Sequence, residues 1–404
     1  MTTRPALEVA DVFRAHGASY LQTYGQSLSH QQKRVMRAIQ LCRTAELGGH
    51  IDRCDNCGHQ IVSYNSCRNR HCPKCQSLAR ARWLERRKQE LLPVPYFHVV
   101  FTVPEWIADV ALQNRQVVYD ILFRAATETL RRIAADPKHL GADIGFLAIL
   151  HTWGQNLLHH PHIHCVVPGG GMSPDGDRWI SCPNGFFLPV RVLSRLFRRL
   201  FLSRLRRAYD EGTLAFHGEL LRLAEPREFA AHLGSLRRKE WVVYAKEPFG
   251  GPAQVLEYLG RYTHRVAISN SRLLRMDGDR LAFRWKDYRR DNQHGVMTLH
   301  VHEFMRRFLM HVLPPGFVRI RHCGLFGNRH RKERLARCRE LLGVPDPAST
   351  AATFVRDWRE FHQALTGIPL DSCPLCTVGK MVREGDLPAQ RSLYPIPVLL
   401  ADSS

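Results

Sequence analysis

The chain has 404 residues, 44% of them hydrophobic and 24% charged, which describes an ordinary folded protein long enough for two or three domains. Its 58 Lys and Arg against 37 Asp and Glu leave a formal charge of +21, so the partner to expect is a polyanion, nucleic acid first. The basic residues are spread over several segments rather than gathered in one anchor, no apolar run reaches about 18 residues, and the N-terminus lacks a signal-peptide layout; these features argue against a membrane partner and for a soluble, cytoplasmic, nucleoid-associated protein.

Taken in chain order, helical periodicity predicts two helices over 7–24 and 29–46, broken at Tyr24-Gly25-Gln26-Ser27. A Cys/His-rich stretch, 48–76, precedes a basic amphipathic helix over 77–92 that Pro93 ends. FHVVFTVP, 97–104, reads as a buried strand, and a long helix follows over 105–135. GFLAILHTW and HIHCVVPGG are two strands of a hairpin with loop 156–161. Helices over 189–211 and 226–238, the strand WVVYAKEP and a helix running to about 265 come next. The run 266–288 is a hairpin turning at Asp277-Gly278, a type I′ pair, followed by a helix over 303–313 and a basic segment over 317–340. Hairpin-linked strands alternating with helices predict an α+β fold with an antiparallel sheet. The domains expected are 1–47 (helical), 48–92 (zinc-binding and DNA-binding), 93–344 (catalytic) and 345–404, a loosely structured Pro-rich tail.

Twelve cysteines without an export signal favour metal binding over disulfides. Cys54-x2-Cys57 and Cys72-x2-Cys75, with 14 residues between them, have nearly the spacing of a four-cysteine structural Zn²⁺ site, with Cys67, His71, His50 and His59 as spare ligands. Arg68, Arg70 and Lys74 lie in the same loop, and guanidinium groups there would grip DNA phosphates. A third pair, Cys373 and Cys376, is half a site whose partners the sequence leaves open.

In HHPHIHCVVPGGG, His162 and His164 share one face of a strand, since side chains alternate with period two. Their look-alike, His300-Val301-His302, runs straight into a helix and is set aside. His151, Trp153 and Gln155 share a face of the preceding strand, and across the expected hairpin Gln155 would approach His162 as third ligand. Two imidazoles, an amide oxygen and open positions suit Mg²⁺ or Mn²⁺ on a substrate phosphate. Further on, Tyr258 and Tyr262 are four apart, on one face of a helix, with Arg261 and Arg265 beside them. Gly260 inside that helix costs about 1 kcal/mol relative to alanine and signals a close approach at that turn.

The segments YNSCRNRHCPKCQ, HTWGQNLLHHPHIHCVVPGGG, EYLGRYTHRVAISN and FVRIRHCGLFGNRHR together resemble the two-tyrosine rolling-circle transposases of the HUH nuclease superfamily, the insertion-sequence ninety-one group above all. The resemblance spans about 50–340. It implies an HUH catalytic sheet binding a divalent metal through His162 and His164, with Tyr258 and Tyr262 as nucleophiles. It further implies cleavage and rejoining of single-stranded or locally melted DNA through a 5′-phosphotyrosyl link. Two other classes compete: a non-catalytic zinc-ribbon DNA binder, and a metal-dependent nuclease that activates water. Only the tyrosine mechanism makes a covalent protein–DNA adduct.

Overall fold

A computed structural model describes residues 6–183, 187–249, 254–255, 260, 267–287, 293–345, 363, 369 and 371–390. The chain divides into two compact units, one of Gln76–Ser349 with Met1–Glu8 and the other of Val9–Cys75 with Thr350–Ser404. The sequence of the first, the sheet unit, is therefore inserted within that of the second, the cysteine unit.

The cysteine unit begins with α1 (Val9–Tyr24) and α2 (His30–Leu41), close to the expected helices. Ser29 starts α2 through a capping box: its side chain accepts from the Gln32 amide while Gln32 Oε1 accepts from the Ser29 amide at 2.9 Å. α1 buries Val9, Val12, Phe13 and Tyr20, and α2 buries Val35, Met36 and Ile39. Then β1 (Gly49–Cys54) and β2 (Gln60–Tyr64) form a hairpin, and β13 (Met381–Leu387) pairs antiparallel with β1 from Gly49↔Leu387 to Cys54↔Met381. The expectation of a loose tail is thus corrected over 371–390. The strand MVREGDL buries none of its residues, so backbone hydrogen bonding places it where hydrophobic pattern gives no sign.

In the sheet unit, α3 (Pro73–Lys88) leads from the cysteine-unit sequence to β3 (Tyr96–Thr102). The helix expected over 105–135 is two, α4 (Glu105–Gln113) and α5 (Arg115–Ala135). Asn114 sits at the break, where its side chain donates to Ala215 O (2.8 Å) and accepts from Ala215 N (2.7 Å). β4 (Gly145–Trp153) and β5 (His159–Pro168) form the expected hairpin, followed by the short pair β6 (Gly170–Met172) and β7 (Trp179–Ser181). Helices α6 (Val190–Asp210) and α7 (Pro226–Arg238) and strand β8 (Val243–Phe249) follow as expected. β9 (Leu273–Asp277) and β10 (Arg280–Asp287) turn through Gly278-Asp279, one residue later than expected, with positive φ at Gly278 alone. β11 (Gln293–His300), β12 (Ile320–Gly324) and the helices α8 (Val301–Leu309) and α9 (Arg331–Leu341) complete the unit. The helix expected to end near 265 falls outside the described residues, apart from Gln254, Val255 and Gly260.

The main sheet is antiparallel throughout, in the order β12-β4-β5-β3-β8, giving the α+β class. Period-two alternation assigns its two faces. Phe97, Val99 and Phe101 of β3, Phe146, Ala148 and Leu150 of β4, and Ile163, Cys165 and Val167 of β5 enter the core with α4, α5 and α6. The opposite face carries Tyr96, Leu147, Ile149 and Val166, packed with Val255, Phe326, Leu335 and Trp83. By the same alternation His98, His151, His162 and His164 belong to this second face.

At the end of β12, Gly324 has φ +62° and a Cβ there would lie 2.0 Å from Ile144 O, whereas Gly278 (φ +56°) has nothing within 4 Å. Gly278→Ala should cost only the left-handed backbone penalty, about 1–2 kcal/mol. Gly324→Ala should lose at least about 2 kcal/mol more in denaturant unfolding, because backbone must move. Equal losses would contradict the close pairing of β12 with β4.

Candidate functional site

Antiparallel register brings the histidines together. Opposite His162 on β5 stands His151 on β4, and Ile149 stands opposite His164. One ring nitrogen from each of His151, His162 and His164 lies within 4.8 Å of the others, and His151 and His164 are buried. The register thus offers His151, rather than the expected Gln155, as the residue across from His162. The hairpin turns early, with the Gly154 amide donating to Leu158 O at 3.1 Å and Leu157 at φ +63°. Gln155 is therefore in the turn, while the register gives the place across from His162 to His151. His151 was visible on the correct face of the strand; only the loop length misdirected the choice.

The turn itself is fixed by three successive carbonyls. Arg272 Nη2 donates to Gln155 O (2.7 Å), Arg307 Nη1 to Asn156 O (2.9 Å) and His311 Nε2 to Leu157 O (3.0 Å). The histidines of HHPHIH also divide their work. His159 Nδ1 donates to Ala108 O (3.0 Å), so its Nε2 accepts the Tyr119 hydroxyl at 2.8 Å, and this ring is fully used in anchoring β5 to the helices. His162 Nδ1 donates to His160 O at 2.6 Å, which leaves the lone pair on Nε2 for a ligand. His98 of β3 lies edge to edge with His164, nearly coplanar (ring centres 5.0 Å apart, 5° between planes), with 2.8 Å between His98 Nε2 and His164 Nδ1. When His164 Nδ1 donates this bond, His164 likewise turns an Nε2 lone pair toward a metal.

Burial pushes His162 down to about 4 and His98 to about 3, and holds His164 well below its ordinary value. Around neutral pH these rings are therefore uncharged, the form in which imidazole ligates a metal. Three nitrogen donors fit a divalent ion with open positions, and they favour Mn²⁺ over the oxygen-preferring Mg²⁺. His300, by contrast, caps α8, accepting from the His302 amide at 3.2 Å, and pairs with Asp279 at 3.2 Å. It does have a strand partner, since β11 pairs with β10, but it joins no metal-binding group among the described residues.

The cysteines form two groups, not one. Cys42, Cys67, Cys72 and Cys75 converge, and so do Cys54, Cys57, Cys373 and Cys376. The expected cage of Cys54, Cys57, Cys72 and Cys75 is corrected by the β1–β2 hairpin. Cys54 and Cys57 sit at its tip, while β2 returns the chain to the start of β1, about 17 Å away at strand rise, before Cys67. There the Arg43 amide donates to Asn65 O at 3.0 Å, next to Cys42. In this first group Cys42 and Cys67 each lie 3.6 Å from Cys75 Sγ. Hydrogen bonds from Cys42, Cys67 and Cys72 hold the Cys75 thiol far below its ordinary value, while Cys42, Cys67 and Cys75 push Cys72 far up. One thiolate forms easily there, and four require a cation. Cys42 escapes sequence reading because it follows a helix and belongs to no Cys-x2-Cys pair.

Beside this group Arg68 is exposed, with φ +51°, and Arg70 and Lys74 are half-buried. Tyr258, Tyr262, Arg261 and Arg265 lie outside the described residues. Val255 packs with Leu147, Ile149 and Val166 on the histidine face, and a Cβ on Gly260 would lie 2.9 Å from Leu84 Cδ1, the close approach its sequence position suggested.

His151→Ala should weaken Mn²⁺ binding in calorimetric titration by at least about tenfold, and His98→Phe by about 10–100-fold through loss of ring orientation. Gln155→Ala should change it little. Loss in Gln155→Ala with none in His151→Ala would reinstate the amide as ligand.

Comparison with known proteins gives this geometry its context. Residues 145–334, from β4 to α9, match a family described as "Putative transposase", and residues 12–103 match a "Transposase zinc-binding domain". A protein of Sinorhizobium fredii named "Putative transposase y4qJ" is 60% identical over 379 residues, covering 94% of this chain and 95% of its own. The "Transposase for insertion sequence element IS801" of Pseudomonas savastanoi pv. phaseolicola is 27% identical over 338 residues, 83% of this chain and 79% of its own. No solved structure matches the chain. No helix among the described residues is long and apolar enough to cross a membrane. The chain belongs to the IS91-like transposases, with the zinc-binding domain of that family at its N-terminal end.

Proposed function

We propose that this transposase cleaves and rejoins single-stranded or locally melted DNA at the ends of its element, using Tyr258 and Tyr262 as nucleophiles in rolling-circle transposition. The open histidine triad carries the reading. Three imidazoles converge on one sheet face, those of His162 and His164 kept neutral by burial, and among the described residues no Cys, Asp, Glu or further His joins them as a fourth ligand, as a closed structural site would require. Val255, three residues before Tyr258 in sequence, packs on this face.

His151, His162 and His164 would hold the ion, Mn²⁺ ahead of Mg²⁺, and His98 would orient His164. A bound divalent ion supplies positive charge to a non-bridging oxygen of the scissile phosphate. A tyrosine Oη then attacks phosphorus, forming the Oη–P bond as the P–O3′ bond breaks. The phenol gives up its proton and the departing 3′ oxygen acquires one, leaving a 5′-phosphotyrosine and a 3′-hydroxyl. Rejoining is the reverse attack by a 3′-hydroxyl, so no external energy source is needed. A phenol with pKa near 10 needs help to ionise, and Arg261 and Arg265 are the nearest cations in sequence to give it. Helical spacing of four would put the two tyrosines within about 6 Å at their bases, so each can use the same phosphate position in turn. In the cysteine unit, Cys42, Cys67, Cys72 and Cys75 would hold structural zinc. Arg68, Arg70 and Lys74 would contact DNA phosphates.

Incubation with a single-stranded oligonucleotide bearing an element end should give a covalent adduct on a denaturing gel, more with Mn²⁺ than with Mg²⁺. Tyr258→Phe and Tyr262→Phe should each keep some adduct, the double variant none, and His162→Ala should abolish it while His300→Ala leaves most. Cleavage to a free 5′-phosphate without any adduct would instead mean a water-activating nuclease.

A further inference from the structure

The second cysteine group draws on both ends of the chain. Cys54 and Cys57 lie at the tip of the β1–β2 hairpin, and Cys373 and Cys376 precede β13, whose first residue pairs with Cys54. The Cys54–Cys376 and Cys57–Cys373 sulfur distances are both 3.7 Å. A disulfide would require about 2.05 Å. Four sulfurs at about 2.3 Å around a tetrahedral ion stand about 3.8 Å apart.

The backbone is arranged for charged sulfur. Two turns of like form face each other, with the Cys57 amide donating to Cys54 Sγ and the Gly379 amide to Cys376 Sγ, each at 3.4 Å. Asn56 Nδ2 adds a third donor to Cys376 Sγ at 3.7 Å. The turns are interlocked: Asp55 N donates to Lys380 O (3.0 Å), and Lys380 N to Asp55 Oδ1 (2.8 Å). Gly379 is confined, since a Cβ there would lie 2.5 Å from Cys54 Sγ.

A separate observation says why a cross-link is needed. Of the residues in β13, β1 and β2, only Gly49 and Cys54 are buried, so this three-stranded sheet has almost no apolar core. A small sheet of that kind requires another source of folding free energy, and a metal cage is a common one. The family match over 12–103 stops far short of Cys373, so the matched domain lacks half of this group.

We propose that Cys54, Cys57, Cys373 and Cys376 bind a second structural zinc ion, which clamps the C-terminal segment 371–390 onto the N-terminal hairpin. The zinc-binding unit is then completed only after the whole sheet unit has been synthesised. This holds whichever nucleophile the transposase uses.

Elemental analysis of the full-length protein should find two zinc ions per chain, falling to one in Cys373→Ser and in Cys376→Ser and remaining at two in Cys376→His. Alkylation mapping of the unmutated protein removes dependence on variants that fail to fold. Cys373 and Cys376 should resist iodoacetamide until a strong chelator is added, then react together with Cys54 and Cys57. A single zinc per chain, or alkylation of Cys373 and Cys376 at the same rate with and without chelator, would overturn the proposal. So would a disulfide joining any two of the four.

Discussion

Everything about the histidine site depends on one register, that of β4 against β5. With side chains alternating at period two, a shift of one residue would send His162 and His164 into the helical core and bring Ile163 out. The register is held at its turn, where Arg272, Arg307 and His311 each take one of three successive carbonyls. It is held again at the strand start, where His159 is fixed between Ala108 and Tyr119. The histidine-bearing strand is thus braced by polar contacts at one end and by Ile163, Cys165 and Val167 along its buried face. Such bracing is what a metal site needs, because small displacements of a ligand are costly to binding.

The opposite faces of the sheet do different work. One is a continuous apolar core with α4, α5 and α6, and supplies the rigidity. The other mixes apolar packing near Leu147, Ile149 and Val166 with the imidazoles of His98, His151, His162 and His164. Burial keeps His98, His162 and His164 uncharged, which removes their mutual repulsion and leaves neutral imidazole, the form that ligates a metal. The cysteine unit solves a different problem. Its helices α1 and α2 bury apolar side chains while its three strands bury little, two cysteine clusters stand beside those strands, and its own sequence is interrupted by the sheet unit.

Much of this was legible in the amino-acid order. The helices α1, α2, α6 and α7, the strands β3, β4, β5 and β8, and the pairing of His162 with His164 on one face all follow from periodicity. What escaped did so for physical reasons. Asn114 splits a helix through hydrogen bonds to Ala215, a residue about a hundred positions away that no local pattern reveals. β11 and β13 bury none of their residues and are placed by backbone pairing. The third histidine hinged on a hairpin loop shorter than expected, and the cysteine partners on a hairpin that separates two neighbouring knuckles. Long-range partnership, as between Cys57 and Cys373, leaves no trace in spacing.

The proposed three-imidazole metal centre stands or falls with the β4–β5 register. Anomalous scattering at the manganese edge from crystals of the protein soaked in Mn²⁺ tests it most directly. A peak is expected on the second face of the main sheet, bonded to ring nitrogens of His151, His162 and His164, with open positions on the remaining side. A peak bonded to the Gln155 amide instead of His151, or one away from β5 altogether, would contradict it.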